Sequence, residues 1–263
     1  MSAAEPPQGA NCAPVGGSEA AELRAWGHHS RGTLYLVPNL LGVVAPDAVL
    51  PKRTIDVART LRHWVVETPK AARAFLKSLD HVDPIATLDI VPIETADKAA
   101  IDHALEALAS GTDVGMLSDA GCPGVADPGA MLVAAAHGQA LRVVPLVGPS
   151  AILLALMAAG MNGQHFCFHG YLPPKPDARA DALRRIEQAS RTQSRTELFI
   201  ETPYRNAVLL RAMANALSSR TSICIAADLT LATETIERKT AAQWRGDDAR
   251  RFDRRPAIFL LQA

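Results

Sequence analysis

Residues 113–129 read DVGMLSDAGCPGVADPG, a short apolar run that leads directly into a loop of small and turn-forming residues. The apolar run 113–117 predicts a buried strand. The loop that follows, residues 118–129, holds three glycines and two prolines, and it is long for a strand-to-helix connection. Such a loop fixes its backbone and exposes N–H groups, which suits close contact with a polar small molecule. Asp127-Pro128 then predicts the start of the next helix.

On both sides of this loop, short β-rich runs alternate with stretches of helical periodicity. Strands are predicted at residues 33–37, 63–67, 113–117 and 141–147. Helices are predicted after the cap Thr68-Pro69, from Thr95, after Asp127-Pro128 and over 151–159, where Gly160 ends the run. Alternation of this kind indicates a mostly parallel sheet with helices packed on it.

The second half of the chain shows a different pattern of predicted strands and helices. Residues 171–176, YLPPKP, predict a proline-stiffened linker, and a charged helix follows over 177–189. Strands are then predicted at residues 196–201, 221–227, 232–237 and 257–261. Because few of their connections are long enough for a parallel crossover, the second sheet is predicted to be mixed or antiparallel. The predicted fold class is α/β, with two α/β domains and the ligand cleft between them.

The predicted domain organisation follows from these two patterns. Residues 1–31 are rich in Ala, Gly and Pro without periodicity, which predicts a disordered N-terminal extension. Residues 32–170 form the predicted N-terminal domain, 171–176 the linker and 177–263 the C-terminal domain.

The composition argues against several classes of protein. Hydrophobic residues make up 48% of the 263 residues and charged residues 21%, as in a globular protein. Lys plus Arg and Asp plus Glu both number 27, so no overall charge attracts nucleic acid. Aromatic residues make up 5%, which argues against a surface of bases stacked along a single strand. No apolar run reaches the ~20 residues of a bilayer span, which predicts no membrane segment.

The charge is unevenly distributed between the two halves. Residues 1–165 carry 11 basic and 16 acidic side chains, whereas residues 166–263 carry 16 basic and 11 acidic ones. This asymmetry favours two domains, and the basic half suits an anionic partner. Arginines on solvated helix faces explain it equally well.

Cysteine and histidine give no sign of a metal site. The four cysteines are far apart and form no CxxC pair, so neither a disulfide framework nor a zinc site is predicted. Reduced thiols and the absence of a signal peptide predict a cytoplasmic protein. His28-His29 is interpreted as part of a solvated tail, and His165 as a structural histidine.

Three strand-to-helix junctions carry the candidate binding residues, because open α/β sheets bind ligands at the carboxyl ends of their strands. The first is the loop 118–129. The second is 147–151, VGPSA, where a helix N-terminus favours an anion, although Ser150 is equally explained as a cap. The third is 201–205, ETPYR. No dinucleotide-binding, Walker or nucleophile-elbow motif is present, which argues against those chemistries.

In their order, LYLVPNLLG, SDAGCPGVADPG, LRVVPLVGPSA, FHGYLPPK, FIETPYR and AADLT resemble the tetrapyrrole methylase superfamily of S-adenosylmethionine-dependent methyltransferases. Within it, the chain looks like a divergent, shorter relative of the ribosomal RNA 2′-O-cytidine methyltransferase-like branch. The resemblance covers residues 33–263. It implies a homodimeric methyltransferase with S-adenosylmethionine held between two α/β domains, without a metal. The residues that it assigns to the cofactor are Leu40, Ala120, Gly121, Cys122, Val125, Ser150, Ala151, Tyr204, Leu229, Thr230, Pro256 and Ala257.

The acceptor side departs from the branch. Glu67 is followed by TPKAA where the branch has Asp-Thr-Arg-His-Thr, and His169 stands where it has Glu. Asp119, Glu67 and His169 are candidates for a general base, and no residue is assigned as catalytic. Three hypotheses follow: a methyltransferase acting on RNA in rRNA processing, a methyltransferase acting on a tetrapyrrole or other small molecule, or a cofactor-binding scaffold protein without turnover.

Overall fold

The computed structural model describes residues 31–95 and 97–263. The predicted N-terminal extension, including His28-His29, lies outside the described residues except for Arg31. Within the described ranges the strands are β1 (Thr33–Leu36), β2 (His63–Val66), β3 (Asp89–Pro92), β4 (Val114–Leu117), β5 (Arg142–Pro145), β6 (Phe166–Tyr171), β7 (Thr196–Ile200), β8 (Ser222–Ala227), β9 (Thr235–Thr240) and β10 (Ala257–Gln262). The helices are α1 (Lys52–Ala58), α2 (Pro69–Ser78), α3 (Lys98–Ala109), α4 (Ala130–Gly138), α5 (Ala151–Ala159), α6 (Pro176–Gln193), α7 (Asn206–Ala216) and α8 (Ala241–Trp244).

The first sheet is parallel throughout, with strand order β3-β2-β4-β1-β5. Its central strand β4 is buried along its whole length, as expected where helices cover both faces of a parallel sheet. One face packs on α3 and α4 in a cluster that includes Val65 and Met116. The other face packs on α1 and α2 in a cluster that includes Trp64 and Val66. The predicted parallel sheet is confirmed.

The second sheet is mixed, with strand order β6-β7-β10-β8-β9. β6 and β7 are parallel, whereas β7, β10, β8 and β9 pair antiparallel. Its outer face packs on α6 and α7 through side chains such as Leu183, Leu210 and Phe259. The mixed sheet predicted for the second half is therefore confirmed.

Helix α5 joins the two sheets. It follows β5 of the first sheet, but its residues Ala155, Leu156 and Ala159 pack against Leu198 and Cys224 of the second sheet. The loops at the carboxyl ends of the first sheet are therefore held next to the inner face of the second, and this arrangement positions the site.

Several predicted boundaries were wrong by a few residues. The helix expected from Thr95 begins at Lys98, because the side chain of Asp97 accepts a hydrogen bond from the N–H of Ala100 and caps it. The strand expected at 232–237 is β9, which extends to Thr240. β3, β6 and α1 were not predicted.

The division into domains is affected by β6. This strand, Phe166–Tyr171, pairs with β7 in the second sheet, although its first five residues were assigned to the N-terminal domain. We therefore propose that a boundary drawn between the sheets lies before Phe166 rather than at 171–176. The linker expected at 171–176 is the short connection from β6 to α6, which begins at Pro176.

The longest helix, α6, has 18 residues and is strongly polar. Among the described residues, no helix has both the length and the apolar character that a membrane crossing requires.

Candidate functional site

A cavity of about 330 Å³ lies between the loops at the carboxyl ends of the first sheet and the inner face of the second. The first sheet contributes residues 41, 67, 118–122 and 125–127. The start of α5 contributes residues 150–152. The second sheet contributes residues 168, 171, 200, 201, 203, 226, 229 and 256–258. The cavity thus lies where the sequence predicted a ligand cleft.

Nine of the twelve residues that the resemblance assigns to the cofactor line this cavity. They are Ala120, Gly121, Cys122, Val125, Ser150, Ala151, Leu229, Pro256 and Ala257. The other three, Leu40, Tyr204 and Thr230, do not line it. Leu41 lines it in place of Leu40, and Pro203 lines it in place of Tyr204, which is 76% exposed. Thr230 is next to Leu229, one of the nine lining residues.

Asn39 holds the loop 118–129 in place. Its backbone exchanges two hydrogen bonds with Gly121, with N···O distances of 2.9 and 3.2 Å. Its side-chain amide donates to the carbonyl oxygens of Ser118 and Asp119 at 2.9 and 3.0 Å. Asn39 was not among the predicted site residues, and its place between Pro38 and Leu40 gives no local sign of this role.

Gly121 allows the loop to turn close to the cavity. Its φ of +72° lies in the left-handed region that favours glycine. A Cβ at this position would lie 3.3 Å from Leu41 Cδ2 and 3.5 Å from the carbonyl oxygen of Pro149. The absence of a side chain keeps this part of the cavity open.

The side chain of Asp127 links two parts of loop 118–129. Its carboxylate accepts hydrogen bonds from the N–H of Gly124 at 2.9 Å and of Gly129 at 2.8 Å. The sequence predicted that Asp127-Pro128 caps the next helix, but α4 begins at Ala130 with Gly129 before it. The carboxylate therefore fixes the shape of the loop instead of capping the helix.

The turn before α5 places a helix N-terminus at the cavity. Ser150 is the N-cap residue, and its hydroxyl accepts from the N–H of Leu153 at 3.5 Å. The amides of Ala151 and Ile152 lie in the first turn, where N–H groups have no acceptor within the helix. A helix N-terminus at this end of the cavity favours a negatively charged group.

Two carboxylates stand at the ends of neighbouring strands. Glu67 follows β2 and Asp119 lies just beyond β4, and both line the cavity. Glu67 Oε2 accepts from the backbone N–H of Asp119 at 2.9 Å. Asp119 Oδ2 accepts from the hydroxyl of Thr68 at 2.7 Å. Thr68 does stand before α2, as predicted, but its hydroxyl bonds Asp119 rather than the helix.

His169, the third candidate base, lies outside the cavity. Its Nε2 donates to Glu197 Oε2 at 2.7 Å, and Arg195 Nε donates to Glu197 Oε1 at 2.6 Å. Cys167 completes a group of three possible metal ligands with His169 and Glu197. Because Glu197 is fully buried and both its oxygens are already bonded, we interpret the group as an ion-pair network of the second sheet.

Two further side chains shape the cavity. Burial raises the pKa of the Cys122 thiol, so the side chain is a neutral part of the wall at physiological pH. Glu201 is buried, accepts from the N–H of Thr202 at 2.8 Å, and lies 3.5 Å from Arg205. The predicted junction 201–205 therefore contains an ion pair between two of its own residues, Glu201 and Arg205.

Comparison with known proteins identifies the family. No protein-family model matches the chain. It is 31% identical over 230 residues to ribosomal RNA small subunit methyltransferase I of Xylella fastidiosa strain Temecula1, covering 88% of this chain and 80% of that protein. It is 32% identical over 221 residues to the protein of the same name from Vibrio cholerae, covering 83% and 73%. The chain belongs to the ribosomal RNA small subunit methyltransferase I family.

Solved structures extend the likeness to the fold of the wider superfamily. The methyltransferase CobJ matches with a TM-score of 0.58 at 20% identity, covering 89% of this chain and 94% of that one. Uroporphyrin-III-C-methyltransferase from Thermus thermophilus matches with a TM-score of 0.53 at 16% identity, covering 88% and 92%. Together with the family, these matches confirm the resemblance to the tetrapyrrole methylase superfamily.

The residues of the cavity fit the cofactor of this family. Apolar side chains such as Leu41, Phe168 and Leu229 suit an adenine ring. The N-terminus of α5 suits a carboxylate, and the nearby carboxylates of Glu67 and Asp119 suit an ammonium or sulfonium charge. Gly121 lines the cavity without a side chain, so a ligand can approach its backbone. A zwitterionic molecule with an aromatic base matches this set of groups.

Proposed function

We propose that this chain methylates a ribose 2′-hydroxyl of small-subunit ribosomal RNA. Family membership confirms the expectation of an S-adenosylmethionine-dependent methyltransferase acting on RNA, and it argues against the scaffold without turnover. The observation that carries the choice of RNA over a tetrapyrrole is the 31% identity, over 88% of the chain, to a protein named for ribosomal RNA. The likeness to CobJ and the uroporphyrin methyltransferase, at 20% and 16% identity, supports the fold alone.

S-adenosylmethionine supplies an electrophilic methyl group on a positively charged sulfur. The nine cavity residues assigned by the resemblance are the proposed cofactor contacts. Loop 118–129 and the start of α5 fix the orientation of the ligand in the cavity. A fixed orientation can account for much of the rate enhancement of an in-line displacement. Transfer of that methyl group to a ribose 2′-oxygen would require a residue of this chain to accept the hydroxyl proton.

We propose Asp119 as that base. It is exposed, lies on the cavity wall, and has one oxygen, Oδ1, for which the described residues show no hydrogen-bond partner. Two neighbours hold Asp119. Glu67 accepts a hydrogen bond from its backbone N–H, and Thr68 donates its hydroxyl to Oδ2 of Asp119. We propose both as positioning residues. His169 is unsuited to the role because its Nε2 is committed to Glu197 away from the cavity.

The proposal includes a homodimer in the cytoplasm, where ribosomal subunits are assembled. It is supported by exposed apolar side chains: Leu153 and Met157, one turn apart on α5, are 52% and 80% exposed, and Val147 before the helix is 71% exposed. Exposed apolar surface of this kind is typical of association sites. Light scattering behind size-exclusion chromatography would test the dimer.

The proposed function is tested first by calorimetric titration with S-adenosylmethionine and S-adenosylhomocysteine. We expect about one site per chain. Purified protein is then incubated with radiolabelled S-adenosylmethionine and either small-subunit ribosomal RNA, intact small subunits or a uroporphyrinogen. Label in RNA at a position resistant to alkaline cleavage supports 2′-O-methylation. Label in the tetrapyrrole alone would select the small-molecule alternative, and cofactor binding without label in any acceptor would favour the scaffold hypothesis.

A further inference from the structure

We infer that two tyrosines and two arginines at the mouth of the cavity form a binding surface for single-stranded RNA. We call Tyr171, Tyr204, Arg205 and Arg254 the aromatic–arginine rim. This inference rests on the proposed function and extends it, because it assigns the acceptor to a specific surface of this chain. The four residues come from three separate parts of the sequence.

The two tyrosines are unusually exposed for their size. Tyr171 ends β6 and is 63% exposed, and Tyr204 lies in the short turn Pro203–Arg205 after β7 and is 76% exposed. Tyr171 itself lines the cavity, and Tyr204 follows the cavity residue Pro203. Neither phenol group shows a hydrogen bond within the described residues, so both rings are open to a partner.

Arg205 connects the segments that carry these tyrosines. Its guanidinium donates to the carbonyl oxygen of Pro174 at 3.4 Å, in the connection that follows Tyr171. It also lies 3.5 Å from Glu201 Oε2 on the cavity wall. Its side chain is 35% exposed, so the guanidinium is positioned by the protein while part of it faces solvent.

Arg254 is brought to the same place by an uncommon backbone conformation. Its φ is +64°, in the left-handed region that a residue with a side chain rarely occupies. Its N–H donates to the carbonyl oxygen of Pro203 at 2.8 Å, directly beside Tyr204. The side chain is exposed, and the described residues show no ion pair for it. By contrast, the neighbouring Arg251 and Arg255 are paired with acidic residues.

RNA is the partner that this combination fits. Sequence-specific RNA recognition uses unstacked bases that lie on aromatic rings, while guanidinium groups bind phosphates. The cavity opens next to the rim, so a nucleotide bound there would have its neighbours on the tyrosines. The low aromatic content argued against bases stacked along a strand, but one target nucleotide and its flanks need only two rings.

Filter binding with deproteinised small-subunit ribosomal RNA tests the rim. Tyr204→Ala should weaken RNA affinity about 5- to 100-fold, as expected for the loss of one stacked base. Tyr204→Phe keeps the ring and should bind like the unmodified chain. Arg254→Asn removes the charge while asparagine tolerates the left-handed conformation, and it should reduce the slope of log affinity against log salt by about 0.7–0.9.

Arg220→Ala is the matched control. Arg220 is exposed and precedes the opposite end of β8, far along the strand from the cavity residue Ala226, so its loss should leave RNA affinity unchanged. Calorimetry with S-adenosylhomocysteine should give the same affinity for Tyr204→Ala, Arg254→Asn and the unmodified chain. If both rim variants bind RNA with the same affinity as the unmodified protein, the proposed RNA-binding role of the rim is wrong, and the proposed function is unaffected. Unmodified protein that binds the cofactor but no RNA would overturn both the rim and the proposed acceptor.

Discussion

Glu67 Oε2 accepts a hydrogen bond from the backbone N–H of Asp119 at 2.9 Å, across the ends of the neighbouring strands β2 and β4. The residue after Glu67, Thr68, donates its hydroxyl to the side chain of Asp119 at 2.7 Å. Two consecutive residues thus hold the backbone and the carboxylate of Asp119. A side chain fixed in this way is suited to accept a proton from a bound hydroxyl.

Asp119→Asn should lower kcat for RNA methylation by about 10²- to 10⁴-fold, the usual contribution of a general base. The amide oxygen can still accept from Thr68, so the fold and the affinity for S-adenosylhomocysteine should be retained. Single-turnover methylation and calorimetry measure the two quantities. His165→Ala is the control, since His165 is exposed and lies outside the cavity. A kcat within threefold of the unmodified enzyme would exclude Asp119 as the base.

Thr68→Val should lower kcat for RNA methylation, and the loss should arise only because Asp119 is less well positioned. A hydrogen bond to a charged group contributes about 1.5–3 kcal/mol, so the loss should be about 10- to 100-fold if the bond positions the base. In the Asp119→Asn background the same substitution should have little further effect, because the group that Thr68 positions is already impaired. Equal losses in both backgrounds would show that Thr68 acts independently of Asp119.

Gly121→Val should abolish detectable binding of S-adenosylhomocysteine by filling the cavity beside Leu41. The backbone strain of the substitution must be separated from this effect. Gly124→Val offers the control: its φ of +83° is equally unfavourable for valine, but a Cβ there meets no atom within 4 Å. We expect both variants to lose similar thermal stability and only Gly121→Val to lose cofactor affinity. Unchanged affinity in Gly121→Val would mean that the site is misplaced.

Thiol labelling should distinguish the cavity from the core. Burial raises the pKa of Cys224 to about 11, so only about 0.3% of it is thiolate at pH 8.5, and it should stay unlabelled by iodoacetamide in the folded protein. Cys122 is half-buried on the cavity wall, and saturating S-adenosylhomocysteine should slow its labelling several-fold. Peptide mass spectrometry follows both sites. A labelling rate of Cys122 that is the same with and without S-adenosylhomocysteine would contradict the proposed pocket.

The fold and one side of the site were predictable because their signals are local. A buried strand followed by glycines and prolines predicted loop 118–129, and the turn before Ala151 predicted the helix start at the cavity. The residues of each signal lie close to one another along the chain. The lengths of the connections likewise distinguished the parallel sheet from the mixed one.

The remaining parts depend on contacts between distant segments. Which of Leu40 and Leu41 faces the cavity depends on how the loop after β1 packs, and neighbouring residues look alike in sequence. Thr68 looks like an ordinary helix cap, but a stronger acceptor, Asp119, is brought close from 51 positions along the chain. β6 was missed because a proline-rich segment follows it directly, and its pairing with β7 is visible only in three dimensions.

An ion-pair cluster on the second sheet should make the protein sensitive to acid. Arg251, and after it Lys239, hold the pKa of Asp247 well below its usual range by hydrogen bonding. Burial alone would raise the pKa of Glu237, but hydrogen bonds from Lys239 and Arg251 lower it as well. A lowered carboxyl pKa contributes stability that is present above the unfolded value, about pH 4–4.5, and is lost as the pH falls towards the folded value.

Arg251→Gln should therefore lower Tm by about 1–3 °C at pH 7, a small effect because solvent screens the pairs. The difference from the unmodified chain should shrink as the pH falls from 5 towards 3, since the carboxyls of the unfolded chain take up protons in this range while Asp247 and Glu237 in the folded chain resist protonation. Arg73→Gln is the control, because Arg73 is exposed on α2 and shows no ion pair among the described residues. Differential scanning calorimetry across this pH range measures the effect. A Tm difference that is constant from pH 7 to pH 3 would show that Arg251 stabilises the protein through its contact with the Trp244 and Phe252 rings rather than through its charge partners.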